Sequence, residues 1–171
     1  MARKIQVRLV VAAIALAAAM LAYANIGVVK KVHSGELVQF GDTFLARLTG
    51  IRTPARGEPL GDEVYEFTKR ELEGRTVRLF TWTTDNTAAG IVYDENGYAR
   101  VQIYYGRLSG EKDDAVSFNE VLLKKGYARV DPKFLPDELS HYHDLEKEAR
   151  EKGLGIWKKD SPGPGAFWSG R

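Results

Sequence analysis

Three histidines, His33, His141 and His143, two of which form a His-x-His, are one possible set of metal ligands. The segment around that pair is charge-rich and reads as helix, and on a helix positions i and i+2 point to different faces. The pair therefore reads as solvated helix-surface residues. No cysteine is present, which removes thiolate nucleophiles, thiolate metal sites and disulfides. A second chemistry is stacking: Trp82, Tyr98, Tyr104 and Tyr105 fall in one β-rich region and could offer ring faces to nucleobases. Aromatics of a small barrel more often belong to its core.

The elements that would position these groups follow from periodicity. Gly27–Val32 and Glu36–Phe40 are short β-prone runs, and Thr43–Ile51 partly alternates. Gly35 and Gly41-Asp42 mark turns between them. A helix is predicted from about Leu60 to Leu72, with Val64, Phe67, Thr68 and Leu72 as an apolar stripe and Gly74 as the stop. Strand signals return at Thr76–Trp82, Ala89–Tyr93 and Tyr98–Tyr105, the last two joined by an Asp94-Glu-Asn-Gly97 turn. A helix near Phe118–Lys125 and a longer one over Pro136–Lys152 complete the pattern. Residues 160–171, rich in Pro, Gly and Ser, read as a flexible tail.

The 171 residues, 44% hydrophobic and 28% charged, fit one domain able to bury a core, which excludes wholesale disorder. Arg3, Lys4 and Arg8 precede an apolar run from Leu9 to Ala24 that ends in Ala22-Tyr23-Ala24, the pattern of a cleaved export signal. Counted on to Val29 and flanked by Lys30-Lys31, the same run has the length of an uncleaved membrane anchor. Cleavage is preferred, because Gly27–Val32 is needed as the first strand. The expected location is secreted or otherwise extracytoplasmic, or membrane-anchored with the domain outside. Loss of residues 1–24 would remove three basic residues and no acid, leaving 22 basic against 23 acidic side chains, a net charge of −1. That balance excludes the large positive field of a protein that lives on nucleic-acid backbones, though it permits a local patch.

Five segments then occur in a telling order: Leu48-Thr-Gly-Ile-Arg-Thr-Pro54, Thr68-Lys69-x-x-Leu72-x-Gly74, Asn96-Gly97, Asn119-Glu120-x-Leu122-x-x-x-Gly126-Tyr127-Ala128, and Gly155-Ile-Trp157. In order and spacing the chain resembles the staphylococcal nuclease-like (thermonuclease, TNase-like) domain family over residues 27–159. The resemblance implies an α+β fold: an OB-fold, a five-stranded Greek-key β-barrel with about three helices, here preceded by the apolar signal or anchor helix. It also implies calcium-assisted phosphodiester hydrolysis, in which two Asp side chains and a Thr carbonyl hold the ion, a Glu activates water and two Arg steady the phosphate.

Carried over residue by residue, that set is broken. Gly41-Asp42-Thr43 looks like the family's first ligand motif but lies too near Arg47 for the intervening strands, so Glu36 is the better counterpart of the first metal ligand and Asp42 a turn residue. Arg47 matches the first phosphate-binding Arg, and Thr53 the Thr. The second metal carboxylate is replaced by Arg52, the catalytic Glu by Ala55, and the second phosphate-binding Arg by Tyr98. Arg100 shares the strand face of Tyr98 but sits roughly 7 Å further along, a position for partial rescue. Glu58 lies three residues beyond Ala55. Of the two aromatics that sandwich a base in the family, Pro132 replaces one and Phe134 keeps one stacking surface.

A guanidinium at the second ligand position should repel calcium, and pairing of Glu36 with Arg52 is expected. No cofactor is then needed; calcium returns only if the chain hydrolyses. The reading that follows is a degenerate nuclease homologue that binds nucleic acid, another polyanion or a protein partner. The alternatives are an active nuclease using Arg47, Arg100, Glu36 and Glu58, and a structural domain of a membrane complex, attached through the N-terminal segment if that is uncleaved.

Overall fold

A computed structural model describes residues 26–81, 91–106 and 115–159. The segments expected to be a signal or anchor (1–24) and a flexible tail (160–171) lie outside them, as does Trp82. Among the described residues no helix is long and apolar enough to cross a membrane.

Strands β1 (Ile26–Val32), β2 (Leu37–Phe40) and β3 (Phe44–Leu48) form a meander, and β1 also pairs with β5 (Thr76–Thr81), which pairs with β6 (Ala99–Tyr105). A parallel pairing of β3 with β6 closes these five strands into a barrel. Closure removes every edge among them. The barrel fills with one side of each alternating strand: Val29 and Val32, Val38 and Phe40, Ala46 and Leu48, Val101 and Ile103 are all buried.

Two local features break the strand predicted over 43–51 into β3 and β4 (Ile51–Arg52). Gly50 takes φ +69°, and a Cβ there would lie 2.8 Å from Leu135. Strand β4 then leaves the barrel and pairs with β8 (Arg129–Val130), setting Arg52 opposite Arg129. The strand predicted at 89–93 falls partly outside the described residues; within them only an isolated bridge, Tyr93 to Ala99, is present.

Helix α1 (Gly61–Leu72) buries the whole predicted stripe, Val64, Phe67, Thr68 and Leu72. Thr68 Oγ1 donates to the Gly35 carbonyl at 3.1 Å, fastening α1 to the β1–β2 turn. After a short β7 (Val116–Ser117), helix α2 (Phe118–Lys124) is capped by Ser117, whose hydroxyl accepts the Glu120 N–H. Asn119, fully buried, accepts the Ile103 N–H through Oδ1 and donates to the Thr49 carbonyl. The long helix predicted over 136–152 is instead a 3-10 turn, Asp137–Leu139, followed by helix α3 (Tyr142–Glu151). The split lets Leu139 and Tyr142 both enter the core.

Candidate nucleic-acid interface

The β1–β2 turn, β3 and the segment after β4 converge on a cleft of about 320 Å3. The turn contributes His33, Ser34 and Glu36, β3 contributes Arg47, and Arg52, Thr53, Ala55 and Arg56 follow. Three guanidinium groups therefore face one carboxylate. The turn is tight because Gly35 packs against α1 and the loop: a Cβ there would lie 2.6 Å from Val64 and 2.8 Å from Thr53 Oγ1.

Glu36 is 4% exposed and has both carboxylate oxygens engaged. Oε1 accepts from Arg47 Nη1 at 2.6 Å, and Oε2 accepts the Thr53 N–H at 2.6 Å. Arg47 also donates through Nε to Asp94 Oδ2 at 2.8 Å, and its guanidinium lies 5.2 Å from the Tyr98 ring centroid. Asp94 heads the hairpin turn, where its Oδ1 accepts the Asn96 and Tyr98 N–H groups at 2.9 and 3.0 Å. Parallel pairing of β3 and β6 sets Arg100 beside Arg47, and Arg100 Nη2 stands 3.9 Å from the same Asp94 Oδ2. Two arginines thus share one buried acid.

Titration follows from this arrangement. Burial alone would lower the Arg47 pKa, but the charge and hydrogen bond of Glu36, then those of Asp94, outweigh it and the net direction is up. Burial would raise Asp94, yet the Tyr98 and Asn96 N–H groups and the charges of Arg47 and Arg100 hold it below its ordinary 3.8. For Arg100 burial dominates and lowers the pKa against the pull of Asp94.

The expected Glu36–Arg52 pair is not formed. Glu36 is taken by Arg47, and Arg52 turns to Asp131, Nη2 to Oδ2 at 3.2 Å, because the β4–β8 pairing brings Asp131 within reach. Arg100 is 2% exposed and does not line the cleft; its guanidinium lies under the Phe134 ring, 3.6 Å from the centroid. That contact occupies one face of Phe134, which sits in a 3-10 turn, Pro132–Phe134, with its carbonyl held by Thr49 Oγ1 at 2.7 Å. Glu58 does bend back, but onto backbone: its Oε2 accepts the Ala55 N–H at 2.7 Å. Asp42 sits in the β2–β3 turn, paired with Lys30. His141 lies on the surface 3.3 Å from Glu120.

Asp94, Asp131 and Arg56 were not singled out as site residues by sequence reasoning. Asp94 carried a signal, an acid opening an Asp-x-Asn-Gly turn, but only for the turn. Its partnership with Arg47 depends on the barrel closing.

Fold and cleft together define a class: a closed OB-type barrel with three α-helices among the described residues, of the kind that serves as a platform for oligonucleotides, carrying an arginine-lined cleft beside its first hairpin. The family model described as Staphylococcal nuclease homologue matches residues 46–159, and the chain belongs to that family. It is 30% identical over 158 residues to the uncharacterized protein MJ1439 of Methanocaldococcus jannaschii, covering 77% of this chain and 70% of that one. It is 28% identical over 120 residues to the staphylococcal-like nuclease CAN1 of Arabidopsis thaliana, 70% of this chain but 31% of that protein. Identity to the endonuclease Htp3 of Saprolegnia parasitica is 27% over 127 residues, 69% and 54% of the two chains. The match thus spans about a third of CAN1 and about half of Htp3.

The donors present do not fit the calcium ion of the family. Glu36 has neither oxygen free, Arg52 lines the cleft with a guanidinium, and Ala55 offers no carboxylate. Among the described residues no group of three His, Cys, Asp or Glu side chains is placed to hold a metal.

Proposed function

We propose that this domain binds the phosphodiester backbone of nucleic acid in the arginine-lined cleft and does not cut it. The observation that carries this reading is Arg52, whose guanidinium lines the cleft together with Arg47 and Arg56 while Glu36, the lining carboxylate, is already neutralised by Arg47. The lining carries three guanidinium groups and one carboxylate, and guanidinium forks match the planar oxygen pairs of a phosphate. CAN1 and Htp3 are called nucleases, which favours nucleic acid over other polyanions as the ligand. Hydrolysis through Arg47, Arg100, Glu36 and Glu58 is disfavoured, because Arg100 is buried under Phe134 and both acids are engaged in hydrogen bonds.

The test pairs binding with cleavage. In chelator, a fluorescent single-stranded oligonucleotide should bind the protein, and Arg52→Ala should weaken binding roughly tenfold, about 1.4 kcal/mol. With calcium added, DNA and RNA should remain intact. Cleavage by the purified protein that chelation abolishes would refute the proposal.

A further inference from the structure

The cleft does not end at Arg56. Between β1–β2 and α1 runs a groove of about 530 Å3, lined by Lys30, Lys31, Gln39, Tyr65, Lys69 and Glu73 among others. Two contacts join it to the cleft. His33, on the cleft wall, is bonded through Nε2 to Gln39 Oε1 at 2.8 Å. Tyr65 lies 4.2 Å from the Arg56 guanidinium and 5.9 Å from the Lys69 ammonium, both measured to the ring centroid. The cationic surface is therefore continuous from β3, past an aromatic ring, to β1.

The charges along this surface are not equally available. Lys30 is paired with Asp42. Glu73 is the groove's lining carboxylate, and its Oε2 accepts the Val32 N–H at 3.0 Å, which spends part of its capacity on backbone. Lys31 and Lys69 are exposed and remain for a ligand. Further along α1, Arg70 lines the adjoining hollow with Lys69.

We propose that the groove continues a single-stranded nucleic-acid track. One phosphate sits among Arg47, Arg52 and Arg56, the strand crosses the Tyr65 ring, and the next phosphates lie against Lys69 and Lys31. This rests on the phosphate-binding reading of the cleft. A positive groove with an aromatic set along it is how single strands are held without base readout. The guanidinium-lined cleft at one end favours phosphate over the carboxylates of an acidic peptide.

The test compares two probes on the full chain in chelator: a dinucleotide, which reads the cleft alone, and a single strand of about ten nucleotides, within the roughly 4–16 that one OB-fold covers. The wild-type protein should bind the longer strand at least about tenfold more tightly. In the Lys31→Ala/Lys69→Ala variant that advantage should collapse to about twofold or less, and the salt slope for the longer strand should fall by about 2, near one per lysine. Lys31→Arg/Lys69→Arg should keep the advantage, and matched melting temperatures show that each variant is folded. Should the double alanine variant keep the full advantage, the groove proposal fails while the cleft reading stands. If the wild type binds neither probe, or Arg52→Ala leaves dinucleotide binding unmoved, the cleft reading falls and takes this one with it. Flotation with phosphatidylserine vesicles that the double alanine variant loses, with the oligonucleotide advantage intact, would assign the groove to a lipid surface and overturn the proposal.

Discussion

Replacing Asp94 by Asn probes the charge network beneath the cleft at its most constrained point. The substitution keeps the side-chain shape and an oxygen to accept the Asn96 and Tyr98 N–H groups, so the hairpin turn survives. It removes the charge that faces Arg47 at 2.8 Å and Arg100 at 3.9 Å. Removing one partner of a buried ion pair costs about 3–5 kcal/mol, because the other charge is left uncompensated. Two features reduce that figure here: Arg47 keeps Glu36, and its side chain is 16% exposed. The expected loss is therefore about 2–4 kcal/mol. With a urea slope near 2 kcal/mol/M, that moves the unfolding midpoint down by about 1–2 M.

The pH dependence separates charge from packing. Asp94 titrates in the folded protein below its ordinary 3.8, so its contribution is fully present above the unfolded pKa and is lost as pH falls through the folded one. The Asn variant has no such group. Urea denaturation followed by circular dichroism should show a constant stability gap between wild type and variant from about pH 5 upward. Below about pH 4 the gap should narrow as the wild type loses its advantage. A gap under about 1 kcal/mol at neutral pH would refute the reasoning, as would a gap that does not shrink in acid.

Two further substitutions test other parts of the account. Arg52→Asp reverses the charge at the position that most distinguishes this cleft: oligonucleotide affinity in chelator should fall more than about tenfold, and calcium should raise the melting temperature of the variant but not of the wild type. Gly155→Ala should cost upwards of about 3 kcal/mol by thermal melting, because the residue sits at φ +52° and the new Cβ would lie 2.1 Å from the Gly126 carbonyl oxygen; a change under about 1 kcal/mol would contradict that packing.

That second case shows why the family pattern was legible. Gly126 and Gly155 lie back to back, with the Ile156 N–H donating to the Gly126 carbonyl at 2.9 Å. Two short motifs some thirty residues apart therefore report one tight backbone contact. Asn119 is similar: its amide ties β6 to the break after β3, so the Asn-Glu motif records a joint of the barrel. Helix α1 was readable because its stripe meets the core on every predicted position. The partners of the charged residues were less readable. The family resemblance set Glu36 and Arg52 together as the two metal-ligand positions, but Arg47 is directly across the β2–β3 ladder, paired with Leu37 next to Glu36, and wins by proximity. Asp94 and Asp131 reach their arginines only through pairings that close the barrel and add the small β4–β8 sheet.

The same network shows how the proposed phosphate cleft would do without an ion. In a calcium site, the charge of the metal offsets the mutual repulsion of the clustered carboxylates and draws them together. Among the described residues the buried acids are Glu36, Asp94 and Asp131, and each is met by an arginine of the chain itself. Their mutual repulsion is thus relieved without a divalent cation. Arg47 and Arg52 each still face the cleft after serving an acid, so an arriving phosphate meets donors already fixed in place by those same ion pairs. Preorganised donors lose little entropy on binding. Affinity for a backbone phosphate should therefore depend on monovalent salt, through release of counterions, and not on calcium.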